Sequence, residues 1–114
     1  MSGGINNVYF YINTFDMISL QQMHYVLILS EQRQFQRASE LCFVTQPTLS
    51  MQVKKAEEAL GFPIFDRSRN PLELTPFGKH LIPLVREVLN ETSKIDLLRK
   101  RMVGTYVEQI KIGV

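Results

Sequence analysis

The chain has 114 residues, 45% of them hydrophobic, which allows one compact domain with one extended element beside it and is too little for an enzyme-sized scaffold. Its net charge of +2 and pI near 8.8 fall short of the strongly basic balance that signals nucleic acid by itself, so the placement of charge has to decide. The single Cys42 excludes an internal disulfide and a cysteine-based zinc site, and neither a membrane span nor a basic-then-apolar secretory signal is present, so the chain reads as cytoplasmic.

Residues 1–16 contain Gly and Asn around a short apolar run, Val8-Tyr9-Phe10-Tyr11-Ile12, without helical periodicity. They read as an upstream extension, a cloning remnant or a small strand. From Ser19, a good N-cap, Leu20, Met23, Val26, Leu27 and Leu29 keep one helical face apolar to about Gln32, which predicts a first helix. Arg33 and Gln34 break it. A second, short helix runs from Phe35 to Leu41, with the small Ala38 permitting close helix approach, and Cys42-Phe43-Val44 forms the turn. Thr45 caps a third helix with Pro47 in its first turn, where the missing N–H costs little, and Gly61 ends it after Leu60. Two short helices meeting at a tight corner form a helix-turn-helix, which points to DNA.

Past Gly61 the pattern turns extended. Phe62-Pro63-Ile64-Phe65 and Leu72-Glu73-Leu74 flank a polar loop with turn residues, which predicts a hairpin wing. Thr75-Pro76 then opens a long helix to about Met102, roughly 40 Å at 1.5 Å per residue. Phe77, Leu81, Leu84, Val88, Ile95, Leu98 and Met102 follow steps of four and three, broken by Glu91, and form a heptad seam for a partner helix. Gly104 is expected to end the helix, and the alternation from Glu108 to Val114 reads as the first strand of a further domain. The fold class is therefore mainly α: a winged helix-turn-helix over 17–75, a dimerisation linker helix over 76–103, and the start of a further, absent domain over 104–114.

Function is argued from the third helix. Leu49, Val53, Ala56 and Leu60 fall on one face, which turns Pro47, Thr48, Ser50, Met51, Lys54, Lys55 and Glu58 outward or beside it. The N-terminal end of such a helix enters the major groove, so Thr45, Gln46, Thr48 and Ser50 are set to touch base edges or nearby phosphates. Lys54 and Lys55 suit backbone phosphate, which positions without reading sequence. An exposed Met51 offers only apolar contact, for instance with a thymine methyl; the plainer alternative is that it packs against the wing. Arg37 in the second helix, Arg67 and Arg69 in the wing and Thr75 at the last cap are candidate phosphate clamps, or a wing Arg enters the minor groove. Each cation alone reads first as a solvated surface charge, and only their convergence argues otherwise. Cys42 reads as a small apolar filler, and His24 and His80 as surface or packing residues. No nucleophile triad, phosphate loop or carboxylate pair appears at a usable spacing, so neither an active site, a metal nor a cofactor is expected.

The motifs Phe35-Gln36-Arg37-Ala38-Ser39, Val44-Thr45-Gln46-Pro47-Thr48-Leu49-Ser50, Glu57-Glu58-Ala59-Leu60-Gly61, Ile64-Phe65-Asp66-Arg67 and Leu74-Thr75-Pro76-Phe77-Gly78 stand in order. From about Met17 to Arg101 the chain resembles the N-terminal domain and linker helix of LysR-type transcriptional regulators. The run from Cys42 to Gln52 is most similar to the peroxide-sensing OxyR-type members. The chain departs from the family at Met51, where arginine is frequent, and Met17 is the equivalent of the family's usual start. The resemblance implies a DNA-binding role for Gln36 beside the residues above, dimerisation through antiparallel pairing of the long helix, and an interrupted palindromic operator upstream of regulated genes. It also implies a missing C-terminal effector domain of periplasmic-binding-protein type that would hold any sensing cysteines. A full-length tetramer and RNA polymerase as a further partner are consistent with it. The rival reading is a helical protein-interaction or dimerisation module without specific DNA binding.

Overall fold

The computed structural model describes residues 17–112, so the expectations for residues 1–16 and for Gly113 and Val114 lie outside the described residues. Four helices and one two-stranded sheet follow in the order α1 (Leu20–Gln32), α2 (Phe35–Leu41), α3 (Gln46–Leu60), β1 (Phe65–Asp66), β2 (Glu73–Leu74) and α4 (Pro76–Ile112). This is a winged helix-turn-helix followed by a long linker helix.

Local chemistry sets the helix ends. Ser19 and Gln22 form a capping box, each side chain bonding the other's backbone N–H, and α1 closes on Arg33 in the left-handed region at φ 60°. Arg33 also ties α1 to the wing: its Nε donates to the Leu72 carbonyl and its own carbonyl accepts from the Leu72 N–H. Between α2 and α3 the N–H groups of Phe43 and Val44 turn back to the carbonyls of Glu40 and Ser39, and Phe43 takes φ 56° with its ring 94% exposed. The Thr45 hydroxyl accepts from the Thr48 N–H to start α3, and Gly61 at φ 79° ends it.

The core lies where α1, α2 and α3 meet the wing and the start of α4. Val26, Leu29, Ala38, Leu49, Val53, Ala56 and Ile64 are fully enclosed, joined by Tyr25, Phe65, Leu72 and Ile82. Ala38 leaves room for α3 to approach, as its size suggests. On α1 the expected face is partly corrected: Leu20 is exposed, and Tyr25 is buried in its place.

Two expectations about the second half need correction. The wing is shorter than its apolar runs suggest, because only Phe65↔Leu74 and Asp66↔Glu73 pair. Beyond them Pro63 has no N–H and Leu72 turns to bond Arg33, while the Thr75 N–H still donates across the wing to the Ile64 carbonyl. Helix α4 does not stop at Gly104 but continues to Ile112, so residues 108–112 are helical rather than the start of a strand. One glycine costs a helix interior only about 1 kcal/mol relative to alanine, which does not suffice to end the helix here.

Helix α4 packs chiefly against α1 at its near end, where Ile82 and Val85 are buried and Phe77 and Leu81 pack on the core. Gly78 is required there, since a Cβ would run into the Ile64 carbonyl oxygen. From 93 to 110 every residue is exposed, and this projecting rod gives the molecule its 63 Å long dimension.

Candidate DNA-binding interface

Burying Leu49, Val53 and Ala56 fixes the rotation of α3 and turns Gln46, Pro47, Met51, Lys54, Lys55 and Glu58 outward, with Thr48 and Ser50 half-buried at the flanks. Met51 sits near the centre of that face and packs neither in the core nor against it. Lys54 and Lys55 form no ion pair among the described residues. At the helix start, the Thr45 hydroxyl donates to Thr48 Oγ1 at 2.9 Å while accepting the Thr48 N–H. Thr45 is thus occupied by the cap, whereas the Thr48 hydroxyl keeps its proton for an outside acceptor.

A groove beside α3 brings the second helix and the wing to the same place. Its lining includes Gln36, Gln46, Arg67, Arg69 and Asn70. Arg37 stands on the exposed side of α2, loosely paired with Glu40 at 3.6 Å. Arg69 extends from the wing loop, 3.7 Å from Asp66 and largely exposed. That loop is held by Asp66, whose Oδ1 accepts from both the hydroxyl and the N–H of Ser68; these bonds keep its carboxyl below the usual carboxylate range, and Arg69 adds a smaller contribution.

Two candidate clamps are committed to the fold. Arg67 donates to Glu57 at 2.9 Å and its guanidinium lies over the Phe35 ring, 5.6 Å from the centroid. Thr75 donates to the carbonyl of Pro63 at 2.7 Å and accepts from the Gly78 N–H, which places it at the junction of wing and α4. Glu57 was not singled out by the sequence as more than part of a motif. Its carboxylate accepts from the Ile64 and Phe65 N–H groups as well as from Arg67, latching the wing to α3. No local pattern announces that, because its partners arrive through the turn after Gly61. Cys42 is half-buried, and burial pushes its thiol above its ordinary value.

The heptad residues divide. Phe77 and Leu81 are drawn into the domain, while Leu84, Val88, Ile95, Leu98 and Met102 remain exposed, continued past Gly104 by Tyr106 on the same side of α4. Among the described residues no helix is long and apolar enough to cross a membrane.

Residues 20–79 match the family model described as bacterial regulatory helix-turn-helix protein, lysR family. The chain belongs to the LysR family. Among curated relatives of this LysR-family chain, the DNA-binding transcriptional dual regulator OxyR of Escherichia coli K12 is 31% identical over 97 residues, covering 85% of this chain and 32% of the relative. The hydrogen peroxide-inducible genes activator of Haemophilus influenzae is 36% identical, covering 85% of this chain and 32% of its own length. This chain thus spans about a third of the length of the curated relatives it matches. Among solved structures, the BenM DBD/catB site 1 DNA complex superposes with a TM-score of 0.71 at 26% identity, covering 75% of this chain and 96% of that one. A full-length OxyR variant from Pseudomonas aeruginosa gives 0.70 at 38% identity, covering 73% of this chain and 28% of that one.

Proposed function

We propose that this LysR-family chain is the sequence-specific double-stranded DNA-binding module of a dimeric bacterial transcription regulator. The observation that carries the reading is the bare outward face of α3, which presents Gln46, Thr48, Ser50 and Met51 with two unpaired lysines on its next turn. A helix that binds a protein groove needs large apolar anchors at helical spacing, and this face offers short polar groups and cations instead. In this reading Gln46, Thr48 and Ser50 touch base edges, Pro47 and Thr45 shape the helix start, and Lys54, Lys55, Gln36, Arg37 and Arg69 hold phosphates. Arg67 and Thr75 act one step back, by fixing the wing. Similarity to a relative crystallised with DNA supports this assignment.

The exposed stripe of α4 supports a homodimer paired through that helix, with Leu84, Val88, Ile95, Leu98 and Met102 at the contact. Two copies related by a two-fold axis would each present one α3, so the operator is an interrupted palindrome. Similarity to OxyR-type regulators favours peroxide-responsive control, with the sensing chemistry in a C-terminal effector region and RNA polymerase as the downstream partner. A chromosomal operator sets the place of action in the cytoplasm.

Fluorescence anisotropy of this chain, against promoter-proximal DNA flanking its own gene and against a scrambled duplex, tests the reading across a range of salt. Tight, salt-steep binding that prefers the native duplex is expected. Equal, weak binding to both would sink it in favour of a protein-interaction module.

A further inference from the structure

Met51 is 47% exposed in the middle of the outward α3 face. The wing attaches at Glu57, six residues on, which at 100° per residue lies about 120° around the helix from Met51. Helix α1 meets α3 on the other flank, where Gln22 Nε2 donates to Gln52 Oε1 at 3.2 Å. An unbranched thioether thus stands between the polar reading residues and the two lysines that follow.

That side chain has no hydrogen-bond donor and only a weak acceptor. Pressed against the donors and acceptors of a base edge, it would strip them of water and give nothing back. The major groove displays one apolar group with which it has no such conflict, the C5-methyl of thymine. Lys54 and Lys55, one turn further, are placed to hold the backbone and press this face toward the groove.

We propose that Met51 is a specificity-determining residue that reads a thymine C5-methyl in each half-site of the operator. The inference rests on α3 being the recognition helix. It means that the position facing Met51 is selected by shape and apolar contact, and that hydrogen-bond readout is confined to Gln46, Thr48 and Ser50.

The test begins by selecting a preferred duplex from a randomised pool with this chain. Each thymine is then replaced singly by deoxyuridine, which removes the methyl and leaves every base-edge hydrogen bond. For the unaltered protein, one thymine per half-site should show a loss of about fourfold, the worth of one buried methyl group. With Met51→Ala that loss should vanish at the same thymine while losses elsewhere persist, and Met51→Leu should retain it. Met51 is exposed, so both variants should keep the helical circular dichroism of the parent. A deoxyuridine profile unchanged by Met51→Ala would overturn this inference alone. A pool that yields no preferred duplex would overturn the recognition reading and this inference with it.

Discussion

The carboxylate of Glu57 accepts from two backbone N–H groups and from Arg67, with its side chain only 13% exposed. Its removal by Glu57→Ala leaves buried donors without partners, and the expected cost is about 1–3 kcal/mol of folding stability. Glu57→Gln keeps one acceptor oxygen and should lose less. Urea denaturation measures both, and an alanine variant as stable as the parent would mean that the latch is ornamental. On the reading face, Gln46→Ala or Ser50→Ala should weaken preferred duplexes by about 1–3 kcal/mol and blur base preference. Lys54→Ala should instead weaken all duplexes alike and reduce the salt slope by about one. The same loss on specific and random DNA for Gln46→Ala would remove its base-reading role.

At the scale of elements, the wing and α4 show how neighbours override local pattern. The wing is two pairs long because its flanking groups brace α1 and α4, so it is rigidly attached at its base by Arg33, Glu57 and Thr75. Helix α4 contains Gly104 in a stretch where an added Cβ would meet nothing within 4 Å. Gly104→Ala should therefore extend and steady the far end of the helix, by about 0.5–1 kcal/mol. A gain in helical circular dichroism with a delayed thermal transition is the expected result. Unchanged or reduced helicity would indicate that the glycine serves a bend in the helix.

The whole molecule is a small domain carrying a rod, and the rod has an apolar stripe that the domain does not cover. Ile95 is 68% exposed and lies beyond the last buried residue of α4, so it contributes nothing to the domain's own core. Ile95→Asp should leave the domain folded and split the proposed dimer, because pairing would bury an unpartnered charge. Sedimentation velocity of both proteins decides it; a dimer that survives the substitution would place the contact elsewhere. In the dimeric state, loss of pairing should also lower operator affinity, since each half-site alone offers one α3.

The helices, their starts and the outward face of α3 were legible in the sequence, because caps and periodicity act over three or four residues. Ser19, Thr45 and Gly61 do what their residue types favour wherever they occur, and Leu49, Val53 and Ala56 suffice to orient α3. On α4 the four-three pattern through Leu84 and Val88 is read as a seam for a partner helix, while the face that packs on the domain through Ile82 and Val85 is not read at all. Which of two apolar stripes is buried depends on where α1 and the wing lie, and that is a contact across many residues. The same holds for the cations. Arg67, Arg69, Lys54 and Lys55 look alike in sequence, yet only tertiary structure brings Glu57 and Phe35 to Arg67 and leaves the lysines bare. Local sequence set the elements and the character of the outward face of α3, and long-range packing decided which charges and which apolar stripe remain available to a partner.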